Sequence, residues 1–352
     1  MSHFPGKPRL VSRAAVAGAL VVLSLTGCAA TSDGGGAAAK GDADSKVNVA
    51  VLNCTAAPYC VAGNDALTGE TATLGVKAKM YDAVFDPAKT VSSCKDAIAS
   101  RKYNVMVINS AIPSASVACA TAAKAAGVPV IGMFGPIGTD TAHAEPTTPG
   151  VLSQVLVPLD TQVDTLIDDI VVPACANKNP CEIGWLRTTK SLPQGDAIID
   201  KKLSAALKVH TNLKLVGEVS SETEVGAAVT ATKTFLQKDP GLDLILSYAT
   251  QGTSGAITAL KAEGKAPGED VLIATAGGSQ DVMAAMRRGE VYGTIVNLPA
   301  TEMKIAVGLA ADVVRGKKIP TSVDPLESAG LPRAITQTNL KDFPDFEGEY
   351  TQ

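Results

Sequence analysis

The chain has 352 residues, with 31 Lys and Arg against 35 Asp and Glu, a formal net charge of −4 and 46% hydrophobic side chains. No basic cluster accompanies that balance, which excludes a nucleic-acid partner, since phosphate binding needs concentrated Lys and Arg. A chain of this length exceeds what one hydrophobic core usually organises, so two lobes are expected.

The N-terminal segment is polar and carries Lys7, Arg9 and Arg13, and an unbroken run of small and apolar residues follows from Ala14 to Leu25. This is the layout of a signal peptide, and its apolar run falls well short of the roughly 20 residues that cross a bilayer as a helix. Leu25-Thr26-Gly27-Cys28 closes it and resembles a bacterial lipobox, which implies cleavage after residue 27 and lipid on Cys28. Residues 28–46 are Ala, Gly, Ser and Asp with almost nothing to bury, so they read as a flexible tether. The expected location is the extracytoplasmic face of a cell membrane.

From residue 47 onward, short β-rich runs alternate with longer stretches of helical period. Strands are expected at 47–52, 77–81, 105–109 and 128–133, then at 182–186, 214–219, 243–247, 271–274 and 292–296. Helices are expected at 88–100, 114–126, 160–172, 194–208, 224–238, 252–263, 279–288 and 299–315. In 224–238, for instance, Val225, Ala228, Val229, Thr232, Phe235 and Leu236 share one stripe, and Pro240-Gly241 stops it. The fold class is therefore α/β, with parallel sheets covered by helices. The Pro- and Gly-rich stretch 135–150 marks a boundary, and the alternation resumes after it. Trp185, inside an expected strand, reads as core.

Seven cysteines less Cys28 leave an even six: Cys54, Cys60, Cys94, Cys119, Cys175 and Cys181. In an exported chain these suggest disulfides. The matched short spacings favour Cys54 with Cys60 and Cys175 with Cys181, leaving Cys94 and Cys119 on successive helices, although six thiols allow fifteen connectivities. No Cys-x-x-Cys pair and no neighbouring His supply metal-ligand spacing, so neither a metal nor a cofactor is expected.

Catalytic motifs are missing as well. His143 and His210 sit in separate loops, and no nucleophile elbow, phosphate loop or dinucleotide turn occurs. Gly252-Thr253-Ser254-Gly255 has no base beside its serine and reads as a helix start. Asp168 and Asp169 are helix neighbours that point in different directions. An enzyme is not expected.

Asp82-Ala83 with Asp86-Pro87-Ala88-Lys89, then 105–109, then Ala125-Ala126-Gly127-Val128-Pro129-Val130 resemble the periplasmic sugar-binding proteins of the ribose-binding type. Phe235-Leu236-Gln237 before Pro240, the Gly255-Ala256 helix, 286–289 and Thr294-Ile295-Val296-Asn297-Leu298-Pro299 resemble that family's second half. The resemblance runs from Val47 to about Leu331. It implies two doubly wound parallel-sheet lobes joined by a three-segment hinge, the fold of periplasmic binding proteins of type I. Lobe one would be 47–134 plus 298–324, and lobe two 135–297 plus 325–345. It also implies a small-molecule ligand in the cleft, an ABC permease as partner, and a monomer. A sensor that hands its liganded shape to a membrane signalling protein is the alternative; a cytosolic regulator of the same fold is excluded by the export signal.

The family's ligand motifs are altered. Its Asn-Pro-aromatic-aromatic run reads Ala57-Pro58-Tyr59-Cys60, its Asp-Arg pair reads Phe134-Gly135, its Asn-Asp reads Ala249-Thr250, and its Gly-Phe-Asp-Gly turn reads Thr275-Ala276-Gly277-Gly278. No arginine opens the 194–208 helix, and Asn297 stands for the hinge amide. By loop position the candidate ligand contacts are Tyr59, Phe134, Glu222, Tyr248, Thr250, Gln251, Ser279 and Asn297. Fewer charged partners point away from tight binding of a bare pentose or hexose and toward a rebuilt pocket.

Overall fold

A computed structural model describes residues 46–351 apart from 84, 191 and 222. Cys28, the signal segment and nearly all of the tether lie outside the described residues, as does Glu222. Among the described residues no helix is long and apolar enough to cross a membrane.

The chain first builds β1 (Asn48–Asn53), α1 (Pro58–Leu74), β2 (Lys77–Asp82), α2 (Pro87–Ala99), β3 (Val105–Asn109), α3 (Pro113–Ala125), β4 (Val130–Met133) and β5 (Val151–Val155). The next helix starts as α4 (Leu159–Asp164), widens to a π-helical stretch over Thr165–Val171 and ends as α5 (Val172–Ala174). There follow β6 (Cys181–Arg187), α6 (Pro193–Val209), β7 (Leu213–Ser220), α7 (Val225–Lys238), β8 (Leu244–Ser247), α8 (Thr250–Ala262), β9 (Leu272–Gly277), α9 (Gln280–Arg287) and β10 (Gly293–Val296). The chain closes with α10 (Pro299–Val314), β11 (Ser322–Val323), α11 (Pro325–Ala329) and β12 (Ala334–Thr336).

Two six-stranded sheets result. The first runs β2-β1-β3-β4-β5-β11 and is parallel throughout; the second runs β7-β6-β8-β9-β10-β12 and is parallel except for β12. Central strands such as VMVIN of β3 are wholly buried because helices cover both faces. Each sheet accordingly carries two apolar cores, one per face. In the second, Phe235 fills the α7 and α8 side, while Trp185, fully buried, fills the other. The two sheets share one winding order, so each has its strand-order reversal between its first and third strands, where ligands settle beyond the carboxyl ends.

Beyond the short C-terminal elements β11, α11 and β12, which had no expected counterpart, two elements depart from the expectation. The stretch 151–155 is a strand of the first sheet, paired in parallel with β4, so the expected lobe boundary at residue 135 falls one strand early. The loop 135–150 folds back onto lobe one: Ile137 is buried there, its N–H donates to Gln154 Oε1 at 2.6 Å, and Gln154 Nε2 donates to Ala144 O at 2.9 Å. The chain passes between the sheets after Val155, after Val296 and after Val323. The second addition is α1, for which no helix was expected. It buries only Cys60, Gly63 and Leu67, and a Cβ at Gly63 would stand 3.3 Å from Pro299 O, so the missing side chain lets α1 lie close on α10.

Disulfides join Cys54 to Cys60, Cys94 to Cys119 and Cys175 to Cys181. Among the described residues no group of His, Cys, Asp and Glu could hold a metal ion.

Candidate functional site

The carboxyl ends of both sheets face one cavity of about 70 Å³. Lobe one supplies Ser110 and Ala111 after β3, and Phe134 and Gly135 after β4; lobe two supplies the first turn of α6, Tyr248 after β8 and Ala276 at the end of β9. The connections supply Leu159, Gln162, Asn297 and Glu302. These are the positions where side chains of a doubly wound sheet meet a ligand.

Local structure fixes each wall. Phe134 has φ of +73°, a left-handed conformation that costs a bulky residue free energy and turns its ring out of the β4 line. That ring meets Tyr59 edge to face, 4.9 Å between centroids. Tyr59 opens α1, and its hydroxyl donates to Glu302 Oε2 at 2.6 Å. The loop that presents it is tied by the Cys54–Cys60 bridge and by Asn109 Nδ2 to Asn53 Oδ1, Asn53 Nδ2 to Asn64 Oδ1, and Asn64 Nδ2 to Cys54 O, all within 2.9 Å. Opposite, Tyr248 lies against α6 where a Cβ on Gly195 would meet its ring at 2.5 Å, and its hydroxyl faces Gln162 Oε1 at 3.4 Å. Gln162 is in turn held by donation to Val157 O at 2.8 Å.

Glu302, in the first turn of α10, is 5% exposed and among the described residues brings the cavity its one carboxyl. Burial pushes its pKa up to about 8; the Tyr59 hydroxyl pulls it down, and the charge of Glu349 pushes it further up. The Tyr59 phenol is raised well above its ordinary value, first by burial and then by the adjacent Glu302. Among the described residues no lysine, arginine or histidine lines the cavity.

The structure thus brings Phe134, Tyr248 and Asn297 to the cavity wall and sets Tyr59 directly behind Phe134. The other candidates go elsewhere. Ser279 is fully buried and caps α9, its Oγ accepting from Val282 N at 3.3 Å. Thr250 is buried beneath the cavity, where it hydrogen-bonds to Tyr350, and Gln251 accepts from its hydroxyl at 3.3 Å. Sequence reasoning missed Glu302, Gln162 and Ser110. Glu302 gave a signal that had an ordinary explanation: an acid in the turn after Pro299 complements the helix dipole.

Residues 177–318 match the family model described as periplasmic binding protein domain. The ribose import binding protein of Bacillus subtilis (strain 168) is 22% identical over 275 residues, 76% of this chain and 81% of that protein. A Mycobacterium smegmatis protein in complex with β-D-fucofuranose superposes with a TM-score of 0.71 at 20% identity, covering 86% of this chain and 95% of its own. The binding component of the arabinose ABC transporter from Shewanella sp. ANA-3, bound to α- and β-L-arabinofuranose, superposes with a TM-score of 0.69 at 18% identity, over 84% and 94%. Fold and sequence therefore agree with the resemblance read from the motifs, and the Bacillus and Shewanella proteins are by name binding proteins.

Proposed function

We propose that this chain, a type I periplasmic binding protein related in sequence to the ribose-type sugar receptors, captures a sugar or sugar-like solute between its lobes and delivers it to an ABC importer. One observation carries the reading: loops from the carboxyl ends of both sheets, together with the connections, converge on a single cavity walled by aromatic rings and a few polar groups. The ribose and furanose sugars in the names of the matched proteins support a solute of the sugar class.

A cavity of about 70 Å³ has room for roughly five waters, less than a hexose needs. Entry of a solute therefore requires the lobes to part about the three connections, and its contacts with both walls favour the closed form. On this reading lobe one is 47–155 plus 298–324, lobe two takes the remainder, and lipid on Cys28 holds a monomer beside the permease. A Cys28→Ser variant moving from the membrane fraction to the soluble one would test the anchor.

The function itself is tested by thermal denaturation with millimolar pentoses, hexoses and polyols, because a solute bound only by the native state stabilises by RT ln(1 + [L]/Kd). At least one should raise the melting temperature. A folded sample that responds to none of them overturns the reading.

A further inference from the structure

Resting on that reading, we infer that Glu302 is the group by which the cleft selects its solute, taking one that presents hydroxyl or ammonium donors to this carboxyl and refusing one that carries its own carboxylate or phosphate. Three observations lead there. Glu302 reaches the cavity from the first turn of α10 while 95% shielded from solvent, with one oxygen already held by Tyr59 at 2.6 Å. No basic side chain among the described residues lines the cavity to neutralise it. Behind it stands a second acid, Glu349, whose carboxylate accepts from Ala300 N at 2.8 Å and Thr301 N at 3.1 Å at the start of the same helix.

A buried acid without a cation is costly unless donors surround it. The Tyr59 hydroxyl and the backbone at Leu298 and Phe134 supply hydrogen bonds to it, yet burial still wins and its pKa stays raised, so further donors from a solute in the cavity would stabilise the ionised form. Hydroxyls or an ammonium group would make charge-assisted hydrogen bonds to the carboxylate. A second anion would be desolvated beside Glu302 and in the field of Glu349, with no lysine or arginine to meet it, so its binding would be opposed rather than merely unassisted. The aromatic walls, Phe134 and Tyr248, suit the apolar face of a sugar ring or the approach of an ammonium group.

The same geometry links binding to protons. The titratable groups that face Glu302 are Tyr59 from α1, Glu349 and Tyr350 from the C-terminal segment, and Tyr248 across the cavity; none is basic. Its pKa of about 8 in the empty cleft falls when donors arrive, so a proton leaves on binding. Affinity therefore rises as pH increases toward and through 8, then levels off.

Calorimetric titration with ribose, arabinose, galactose, glucosamine, glucuronate and ribose 5-phosphate at pH 6 and pH 9 separates the outcomes. The expected result is binding of at least one neutral sugar, about tenfold tighter at pH 9 than at pH 6, with no measurable heat from glucuronate or the phosphate at pH 9, where Glu302 is ionised. Glu302→Gln, checked for native folding by its circular dichroism, should weaken that sugar at least tenfold at pH 9 and flatten its pH dependence. A purely structural role would lower stability and leave the pH dependence unchanged. Binding of either anion as tightly as its neutral counterpart, or a Gln variant with the wild-type affinity and slope, overturns this inference and leaves the receptor reading intact. Heat from no sugar at all overturns both.

Discussion

Arg187 ends β6 with its guanidinium 4.1 Å from the centre of the Trp185 ring, and its Nε and Nη2 both donate to Asp196 Oδ2, at 3.0 and 2.7 Å. Asp196 is 3% exposed at its side chain and also accepts from Thr188 N at 2.9 Å. This pair fixes α6, whose first turn borders the cavity. Asp196→Ala removes two of the bonds to Arg187, which keeps Glu218 at 2.8 Å, and leaves Thr188 N without its acceptor; it should cost roughly 2 kcal/mol in urea denaturation, while Asp196→Asn keeps an acceptor for Thr188 and costs less. Glu302 sets a second expectation. Its carboxyl pKa is about 8 folded against an ordinary 4.5, so the native state holds the extra proton across that window and stability falls as pH rises through it. The loss is on the order of 5 kcal/mol; stability is greatest from this group below 4.5 and the decline ends above 8. Glu302→Gln should flatten that slope in denaturation curves recorded from pH 5 to 9. The places of Phe134, Tyr248 and Asn297 at the cavity wall could be read from sequence because each directly follows a strand, on the side where a doubly wound sheet has its ligand cleft. Ser279 also lies just past a strand, but it is buried with its Oγ accepting from Val282 N as the α9 cap.

At the scale of elements, α2 and α3 are joined by Cys94–Cys119, 25 residues apart, with both sulfurs buried against Met106. Closing a loop of that length restricts the unfolded chain by about 3 kcal/mol. The double change Cys94→Ala with Cys119→Ala should lower the chemical-denaturation stability by that order while leaving solute affinity nearly unchanged, since neither helix reaches the cavity. A large loss of affinity would show that these helices position the wall after β3. Most strands and helices could be read from their periods, as the buried stripe of α7 illustrates. Besides the two- to five-residue elements near the C-terminus, which are too short to show a period, two could not be read for physical reasons. The β5 strand, VLSQV, buries Ser153 and Gln154, polar residues that lower its β signal; the fold-back of 135–150 supplies both hydrogen bonds of the Gln154 amide. For α1, the buried face is built from a disulfide cysteine, a glycine and one leucine, a stripe too thin to register as amphipathic.

For the whole molecule, three chain passages between the lobes are joined by a fourth tie that no hinge count foresees. After β12 the C-terminal segment runs along lobe two, where Phe343 and Phe346 pack on its core and Arg287 Nη2 donates to Pro344 O and Phe346 O at 2.9 and 2.8 Å. Gln280 N then donates to Tyr350 O at 2.8 Å, while Glu349 caps α10 of lobe one and the Tyr350 ring meets Tyr59 at 5.7 Å between centroids. The segment is thus anchored on α9 and clasps the helix that carries Glu302. Removal of residues 345–352 takes away the α10 cap and the buried Tyr350 ring. Each loss is worth about 1 to 3 kcal/mol. The truncated chain should melt several degrees lower, and its Ala300 and Thr301 amides should exchange with deuterium faster than in the full chain. With one tie between the lobes gone, the open form gains population, so solute should bind more weakly through faster release while the association rate changes little. Stopped-flow fluorescence with the solute found by the melting panel measures both rates. An unchanged release rate, with the amide exchange raised as expected, would mean that the segment stabilises lobe one alone and takes no part in opening.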